Sequence, residues 1–524
     1  MHARLGGYRE RLLLVAYAAA LGLNFVLFFL NRTMPEYVDE SDNLLGGRLI
    51  AGGYRLYVDY FSQHMPAPYL AAAIATVFGA ADLVTYRAFF AVFVTVVLGA
   101  AAWYFRTRLS AIFLLSLVGL IAIGHPIFSG YMLLADHLFA LALLLILLFV
   151  LAHDVSFDLP QQVAISLCAF VALHSTLISM YPLLLVALYY IIRKRPSLRE
   201  GGRFALILAL PHVLLVLVLM QQNSLGALVE DALVFNQRYY SHYDIGSDPW
   251  SILSNSLREF STTLIQYLRP TGLREIETNL LIANILAIAV AWRWRGPHFG
   301  VFYLALVILS RMRGAGYHGS PYFLVSFVSV SLVLAYAVNT ARQVLRAWRS
   351  YTPRQWLLPA GLLVYVGLVG LFVRDVGGFY RRLPRGQDLG SPYALVVTAA
   401  TGPTDRIWVA PNGPYVYLQA HRLPASRYSY YQPWLSDSPE ISAAILRDLQ
   451  AVQPPIVVYE ADKHIEWSFP LPTPAEYGGQ VYDYLRVAYE PASANDQLLR
   501  NVYLRRDQAD SLRVRLAERG YPGG

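Results

Sequence analysis

The sequence predicts an all-α polytopic membrane domain of about eleven transmembrane helices, followed by a small α/β domain outside the membrane. Three observations predict this. The chain of 524 residues is 56% hydrophobic and only 15% charged, with a mean hydropathy of +0.42, and a soluble protein of this size carries far more surface charge. Apolar runs long enough to cross a bilayer recur from residue 12 to residue 373. Beyond about residue 374 the pattern changes to short β-type runs between Pro- and Gly-rich turns.

The first run, 12–30, follows Arg4, Arg9 and Arg11. It is too long for a signal-peptide core, and NRTMPEY behind it offers no small-residue cleavage site, so it reads as an uncleaved span. Further runs lie at 83–105, 109–127, 133–152, 161–176, 178–192, 204–221, 278–292, 299–312, 321–338 and 356–373. The stretch PAPYLAAAIATVFGA at 66–80 is short, opens on Pro66 and Pro68 and closes near Gly79, which suits an interfacial or half-inserted helix. With 66–80 left out, the loops bearing Arg106 and Arg108, Arg193 to Arg195, Arg293 and Arg295, and Arg342 to Arg354 all fall on the side of the N-terminus. That is the positive-inside pattern, and it predicts a cytoplasmic N-terminus in a bacterial plasma membrane.

The outward pieces are then the loops 31–82 and 222–277, belonging to a transmembrane domain over 1–373, and an extracytoplasmic domain over 374–524. In the latter, RIWVA (406–410), YVYL (415–418) and PIVVYE (455–460) read as strands and EISAAILRDLQ (440–450) as a helix, within roughly 150 residues, an ordinary domain size. The net charge of +8 points to anionic lipid rather than nucleic acid. Cys168, the single cysteine, leaves no disulfide within the chain. No P-loop or strand-borne GxGxxG occurs.

Polar residues cluster at the outward span ends. Asp39, Glu40 and Asp42 follow the first span, Asp136 and His137 open the fourth, His174 closes the fifth, and Arg311, Arg313 and His318 surround the end of the ninth. Ionisable groups held in a bundle at the membrane boundary are functional candidates. Each also has a plainer reading: solvated interface carboxylates, a snorkelling Asp136, packing histidines, arginines anchored on lipid phosphate, and a His64 that merely caps the helix after Pro66. A partly buried carboxylate accepts a hydroxyl proton, and arginines clamp a phosphate with a bidentate fork. Together they suit transfer of a sugar from a lipid phosphate in one inverting displacement, with the leaving phosphate stabilised by the cations. Arg238, Tyr240 and His242 in the second outer loop suit a cleft wall.

The stretch VDESDNLLGGRLIAGGYRLYVDYFSQHMPAPYLAAAIATVFG resembles the first outer loop of GT-C glycosyltransferases that use polyprenyl-phosphate sugars, among them protein mannosyltransferases and lipid A aminoarabinose transferases. The matching places are the acidic pair Asp39–Glu40, the helix at 42–52, Asp59 to Phe61, and His64 to Pro66, with weaker matches at 85–87 and Asp136. RIWVAPNGPYVYLQAHRLPASRYSYYQPW and PPIVVYE are similar to bacterial members in the C-terminal domain. The resemblance implies a GT-C fold, Asp39 as base with Glu40 beside it, and Arg311, Arg313 and His318 toward the donor phosphate. Two departures stand out. Asp42 lengthens the acidic run, so the base is Asp39 or Asp42. Met65 also stands where many relatives carry a basic residue.

The expected function is an inverting transfer of a monosaccharide from a polyprenyl-phosphate donor to a lipid, glycan or protein hydroxyl at the outer face. No metal is expected to be obligatory, although Asp39, Glu40, Asp42, Asp136 and a histidine offer hard ligands for a divalent ion. The alternatives are a flippase for a lipid-linked glycan and a non-catalytic receptor or assembly subunit. Transporters, however, place their charges near the bilayer midplane on paired broken helices.

Overall fold

A computed structural model describes residues 2–153, 157–243, 276–310, 324–347, 390–464 and 471–521, with isolated positions between them. It divides into two compact units. The first comprises Met1–Arg32, Arg87–Leu215 and Asp248–Arg385, and the second Thr33–Tyr86, Val216–Ser247 and Gly386–Gly524.

The first unit is a helical bundle. Its helices include α1 (His2–Leu30), most of α4 (Leu83–Phe105), α5 (Ala111–Gly124), α6 (Ala135–Ala152), α7 (Leu159–Ser175), α8 (Met180–Lys194) and most of α9 (Leu198–Gln221). The helices Ile276–Arg295, Pro297–Leu309 and Leu324–Ala347 follow. Each of the first ten apolar runs expected to span is thus helical, and the eleventh, 356–373, lies outside the described residues apart from position 370. Among the described residues six helices are long and apolar enough to cross a membrane, and the protein is a multi-pass membrane protein.

Composition sorts these helices by depth. In α6, ADHLFALALLLILLFVLA is apolar all round and buried on nearly every side, as a central helix must be. By contrast α1 and α9 leave most of their apolar surface uncovered, as lipid-facing helices do. Local signals set the ends: Ser110 caps α5 by accepting from Phe113 N, and Asp158 and Gln161 form a capping box on α7. Pro211 inside α9 cannot donate to Ile207 O, and the Ser166 hydroxyl supplies that bond at 2.8 Å. Asn24 to Thr95 (2.8 Å) and Tyr303 to Asn284 (2.9 Å) pair further polar groups within the bundle.

The second unit joins Thr33–Tyr86 and Val216–Ser247 to the C-terminal residues. Its five-stranded sheet has the order β2-β1-β3-β5-β4, from β1 (Arg406–Ala410), β2 (Leu423–Pro424), β3 (Ile456–Tyr459), β4 (Tyr489–Pro491) and β5 (Val502–Arg505). β1 runs parallel to both β2 and β3, with Trp408 opposite Val457, while β5 is antiparallel to β3 and β4. All four residues of β3 are buried, the mark of a central strand covered on both faces. YVYL, expected as a strand, lies in the helix Pro414–Ala420, because Pro414 opens a helical turn and Tyr415, Tyr417 and Leu418 are all buried in it.

The first outer loop forms α2 (Val38–Ala51) and α3 (Ala67–Val77). These pack tightly on each other, and α2 also packs on the helix Pro414–Ala420. Two glycines permit the approach: a Cβ at Gly46 would stand 2.4 Å from the Tyr69 ring, and one at Gly47 would stand 2.3 Å from Ala72 Cβ. Gly47→Val is therefore expected to cost about 1–3 kcal/mol through overpacking, read as a lowered melting temperature of the purified protein, whereas a valine at the open Gly22 of α1 leaves it unchanged.

Candidate functional site

The acidic run occupies the first turn of α2. Tyr37 precedes it in an extended conformation and no side chain caps the helix. Asp39 and Glu40 instead place negative charge at the positive end of the helix dipole. Gly52 ends the helix and Gly53, at φ 90°, turns the chain away.

Burial separates the carboxylates that the sequence sets side by side. Glu40 is fully buried and Asp42 nearly so, while Asp39 is half-buried. Asp42 stands one turn below Asp39 on the same side of the helix. Its two oxygens accept separately from the phenols of Tyr60 and Tyr69, both buried. Ser429 donates to Tyr60 at 3.2 Å, and Ser62 and Tyr69 share a 2.7 Å bond. Burial raises the Asp42 pKa, His64 and the two phenols pull against it, and the nearby Asp39 charge raises it further. Among the described residues the Asp39 carboxylate has no hydrogen-bonded or ion-paired partner.

The loop after α2 is fixed at several points. Asp59 is tied to Arg55 through its backbone N (2.8 Å), Nε (3.0 Å) and Nη2 (2.8 Å), and this pairing holds its carboxyl below the usual range. Tyr57 donates to His64 O at 2.8 Å, and His64 N donates to Ser62 Oγ at 3.0 Å. Pro66, not His64, stands at the cap of α3. The imidazole is therefore carried on a backbone pinned at both its C=O and its N–H, within electrostatic reach of Asp42.

Two further segments of the same unit clamp this loop. Phe61 N donates to Arg427 O at 2.9 Å, and the Phe61 ring meets Phe235, Tyr428 and Tyr430 with centroids 5.0–6.1 Å away. Residues 225–238 form a helical segment with a π-helical turn at Val229–Val234. From it Asn236 donates to Gln63 O at 2.7 Å, and Asp231 makes a buried ion pair with Arg427. Tyr430 is buried where the charges of Asp42, Asp39 and Asp231 all act on its phenol, which is raised well above its ordinary value by burial first.

Of the remaining sequence candidates, Arg238, Tyr240 and His242 belong to the second unit and Asp136 and His174 to the first. Tyr240 packs edge-on against Trp434 at 5.2 Å, while Arg238 and His242 are exposed. Asp136 is buried in the first turn of α6 in the bundle, beside His137, whose Nδ1 meets Met132 O. His174 pairs with His212, Nε2 to Nδ1, at 3.0 Å. Arg311, Arg313 and His318 lie outside the described residues. Among the described residues no group of three or more His, Cys, Asp or Glu side chains is placed to hold a metal ion. Sequence reasoning missed Tyr60, Tyr69, Asp231, Arg427 and Tyr430. The aromatic spacing in YRLYVDYF and RYSYY marked Tyr60, Arg427 and Tyr430 only faintly among 37 tyrosines, and Tyr69 and Asp231 had no local signal.

No protein-family model matches the sequence, and no curated protein sequence does. Among solved structures, ArnT from Cupriavidus metallidurans bound to undecaprenyl phosphate is similar at 13% identity and a TM-score of 0.50, over 78% of this chain and 85% of that one. The oligosaccharyltransferase AglB from Archaeoglobus fulgidus, in complex with an inhibitory peptide and a dolichol-phosphate, overlaps at 13% identity and a TM-score of 0.49, over 86% of this chain and 69% of that one. The second overlap is looser, and nothing below rests on it.

The Asp231–Arg427 pair sets a pH dependence. Burial pushes the Asp231 carboxyl up to about 7 against the pull of Arg427. Since the folded protein holds this proton more tightly than the unfolded chain, the stabilisation is fully present below about pH 4 and is lost as pH rises to about 7. The melting-temperature difference between the wild type and Asp231→Asn, scanned from pH 4 to 8, is expected to move against the wild type up to about pH 7 and then level off.

Proposed function

From a chain with the GT-C fold, we propose an inverting glycosyltransferase that moves a monosaccharide from a polyprenyl-phosphate donor to a hydroxyl acceptor at the outer membrane face. The observation that carries this reading is the contrast on α2. Asp42 is sealed between two phenols, whereas Asp39, one turn above, is half-buried with a carboxylate that has no partner among the described residues. A base has to present an unshared carboxylate on a rigid support, and Asp39 does so while Asp42 does not. Asp39 is thus the base, and Asp42 positions the helix turn that carries it.

In the proposed reaction the Asp39 carboxylate takes the acceptor hydroxyl proton. The acceptor oxygen attacks the anomeric carbon, and the bond from that carbon to the phosphate oxygen breaks on the opposite face. The phosphate leaves with the electron pair, and one displacement inverts the centre. Arg311, Arg313 and His318 are proposed to receive the phosphate charge, a task suited to guanidinium forks. Glu40 and Asp136 are proposed as the supporting carboxylates. Undecaprenyl phosphate bound to ArnT supports a polyprenyl-phosphate donor. The apolar first run behind Arg4, Arg9 and Arg11 supports a cytoplasmic N-terminus and hence an outward-facing second unit.

Asp39→Asn is expected to lower sugar transfer from a radiolabelled polyprenyl-phosphate monosaccharide by about 10²–10⁴-fold with an unchanged melting temperature. Full activity in that variant overturns the reading. Asp42→Asn is expected to lower the melting temperature as well, because one phenol then faces an amide N–H.

The reaction is also proposed to need no divalent metal, a reading supported by the two phenols that engage both oxygens of Asp42. Turnover is expected to survive exhaustive chelation with EDTA, and restoration of a lost activity by magnesium or manganese overturns this part alone.

A further inference from the structure

A cavity of about 190 Å³ opens in the second unit between the C-terminal half of α2 and the chain around β2. It is separate from the acidic turn. Arg48 stands nine residues along α2 from Asp39, roughly 13 Å at 1.5 Å per residue. Leu45 and Leu49 form its apolar floor, and Arg48, His421, Arg422 and Tyr54 supply the polar lining.

The charge in this cavity is uncompensated. Arg422 is buried and fixed: Nε donates to Thr401 Oγ1 at 2.9 Å, Nη2 to Thr401 O at 2.7 Å and Nη1 to Ala420 O at 2.8 Å. Arg48 is tethered through Nη1 to Leu418 O at 3.2 Å, which leaves its other guanidinium N–H groups uncommitted. Neither arginine, nor His421, pairs with a carboxylate among the described residues. The two acids that act on the cluster are turned to other partners: Asp405 accepts from Gly402 N at 2.7 Å and Asp82 from Thr85 N at 2.8 Å. Burial first, and then the Arg48 and Arg422 charges, hold His421 below its ordinary value, with Asp82 pulling the other way. Such a concave set of donors over an apolar floor attracts a small, strongly hydrogen-bonding anion.

The cavity is within electrostatic reach of the chain that leads into a candidate span: Asp82, which acts on His421, is the residue before α4 begins, and α4 is one of the helices apolar enough to span. Shortly before it in the chain, at the end of α3, Val77 and Phe78 are each 76% exposed and Ile74 is 54% exposed. An exposed apolar helix tip of this kind suits an interfacial element whose apolar side enters lipid.

We propose that this cavity is a phosphate-binding site, distinct from the acidic turn of α2, in which Arg48 and His421 hold the phosphate oxygens and Arg422 supplies a fixed positive charge beneath them. The phosphate is either the headgroup of a membrane lipid or a free phosphate group, and the two sources share this chemistry.

The full chain, purified in a non-ionic detergent, is titrated with dihexanoyl phosphatidic acid and, separately, with inorganic phosphate, and binding is read by native mass spectrometry and by the rise in melting temperature. Saturable binding of at least one probe is expected. His421→Asn, chosen because Asn tolerates the left-handed φ of 52° at that position, and Arg48→Gln are each expected to weaken it roughly tenfold, the scale of one charge-assisted hydrogen bond. Asp39→Asn is expected to bind as the wild type does. Binding of the lipid alone assigns a headgroup, and equal binding of both probes assigns a free phosphate. Binding of neither probe overturns the proposal. So does binding that His421→Asn and Arg48→Gln, both still melting cooperatively, leave unchanged, or binding that disappears in Asp39→Asn.

Discussion

The carboxylate of Asp42, buried between the phenols of Tyr60 and Tyr69, is the interaction on which the second unit is organised. A lone buried carboxylate is costly, and satisfying it takes donors brought from outside its own helix. Tyr60 comes from the loop after α2, Tyr69 from α3, and Ser429 of the C-terminal residues reaches the Tyr60 hydroxyl. One charge therefore fixes the rotation of α2, the seat of α3 and the register of residues 427–430 together. Asp39 inherits its position from this arrangement, although among the described residues nothing pairs with its own side chain.

Much of the bundle could be read from hydropathy, since the bilayer demands continuous apolar helices and leaves few alternatives. The run at 66–80 was legible for the same reason in reverse. Eleven helical residues, Ala67–Val77, are about 16 Å long, well short of the roughly 30 Å of hydrocarbon a span must cross. YVYL misled because alternation of apolar and aromatic residues over four positions does not separate strand from helix, and a preceding proline settles it toward helix. Periodicity reports local preference, and short elements answer to packing instead.

At the site, the motif DE found the turn but not the division of labour within it. Asp39, Glu40 and Asp42 are chemically near-equivalent in one dimension. Their difference arises from partners 18, 27 and more residues away, such as Tyr60 and Tyr69 on Asp42. The acid Asp231 and its partner Arg427 are 196 positions apart, and neither has a local signal that marks it as paired. Tyr240, read from the sequence as part of a cleft wall, packs edge-on against Trp434, a partner far along the chain that no local pattern announces.

The second unit is assembled from three stretches, Thr33–Tyr86, Val216–Ser247 and Gly386–Gly524, with bundle segments between them. Asp39 is thus made early but cannot be set in place until Ser429 and Arg427 exist, nearly 400 residues later in the chain. At elongation rates of 5–20 residues per second this is a wait of roughly 20–80 s. Throughout that interval the acidic turn is an unfinished half of a partnership. Biogenesis thereby acts as its own proofreader: a ribosome that stops short of the last third of the message releases a membrane-embedded chain that carries the DE motif yet lacks the partners that seat it.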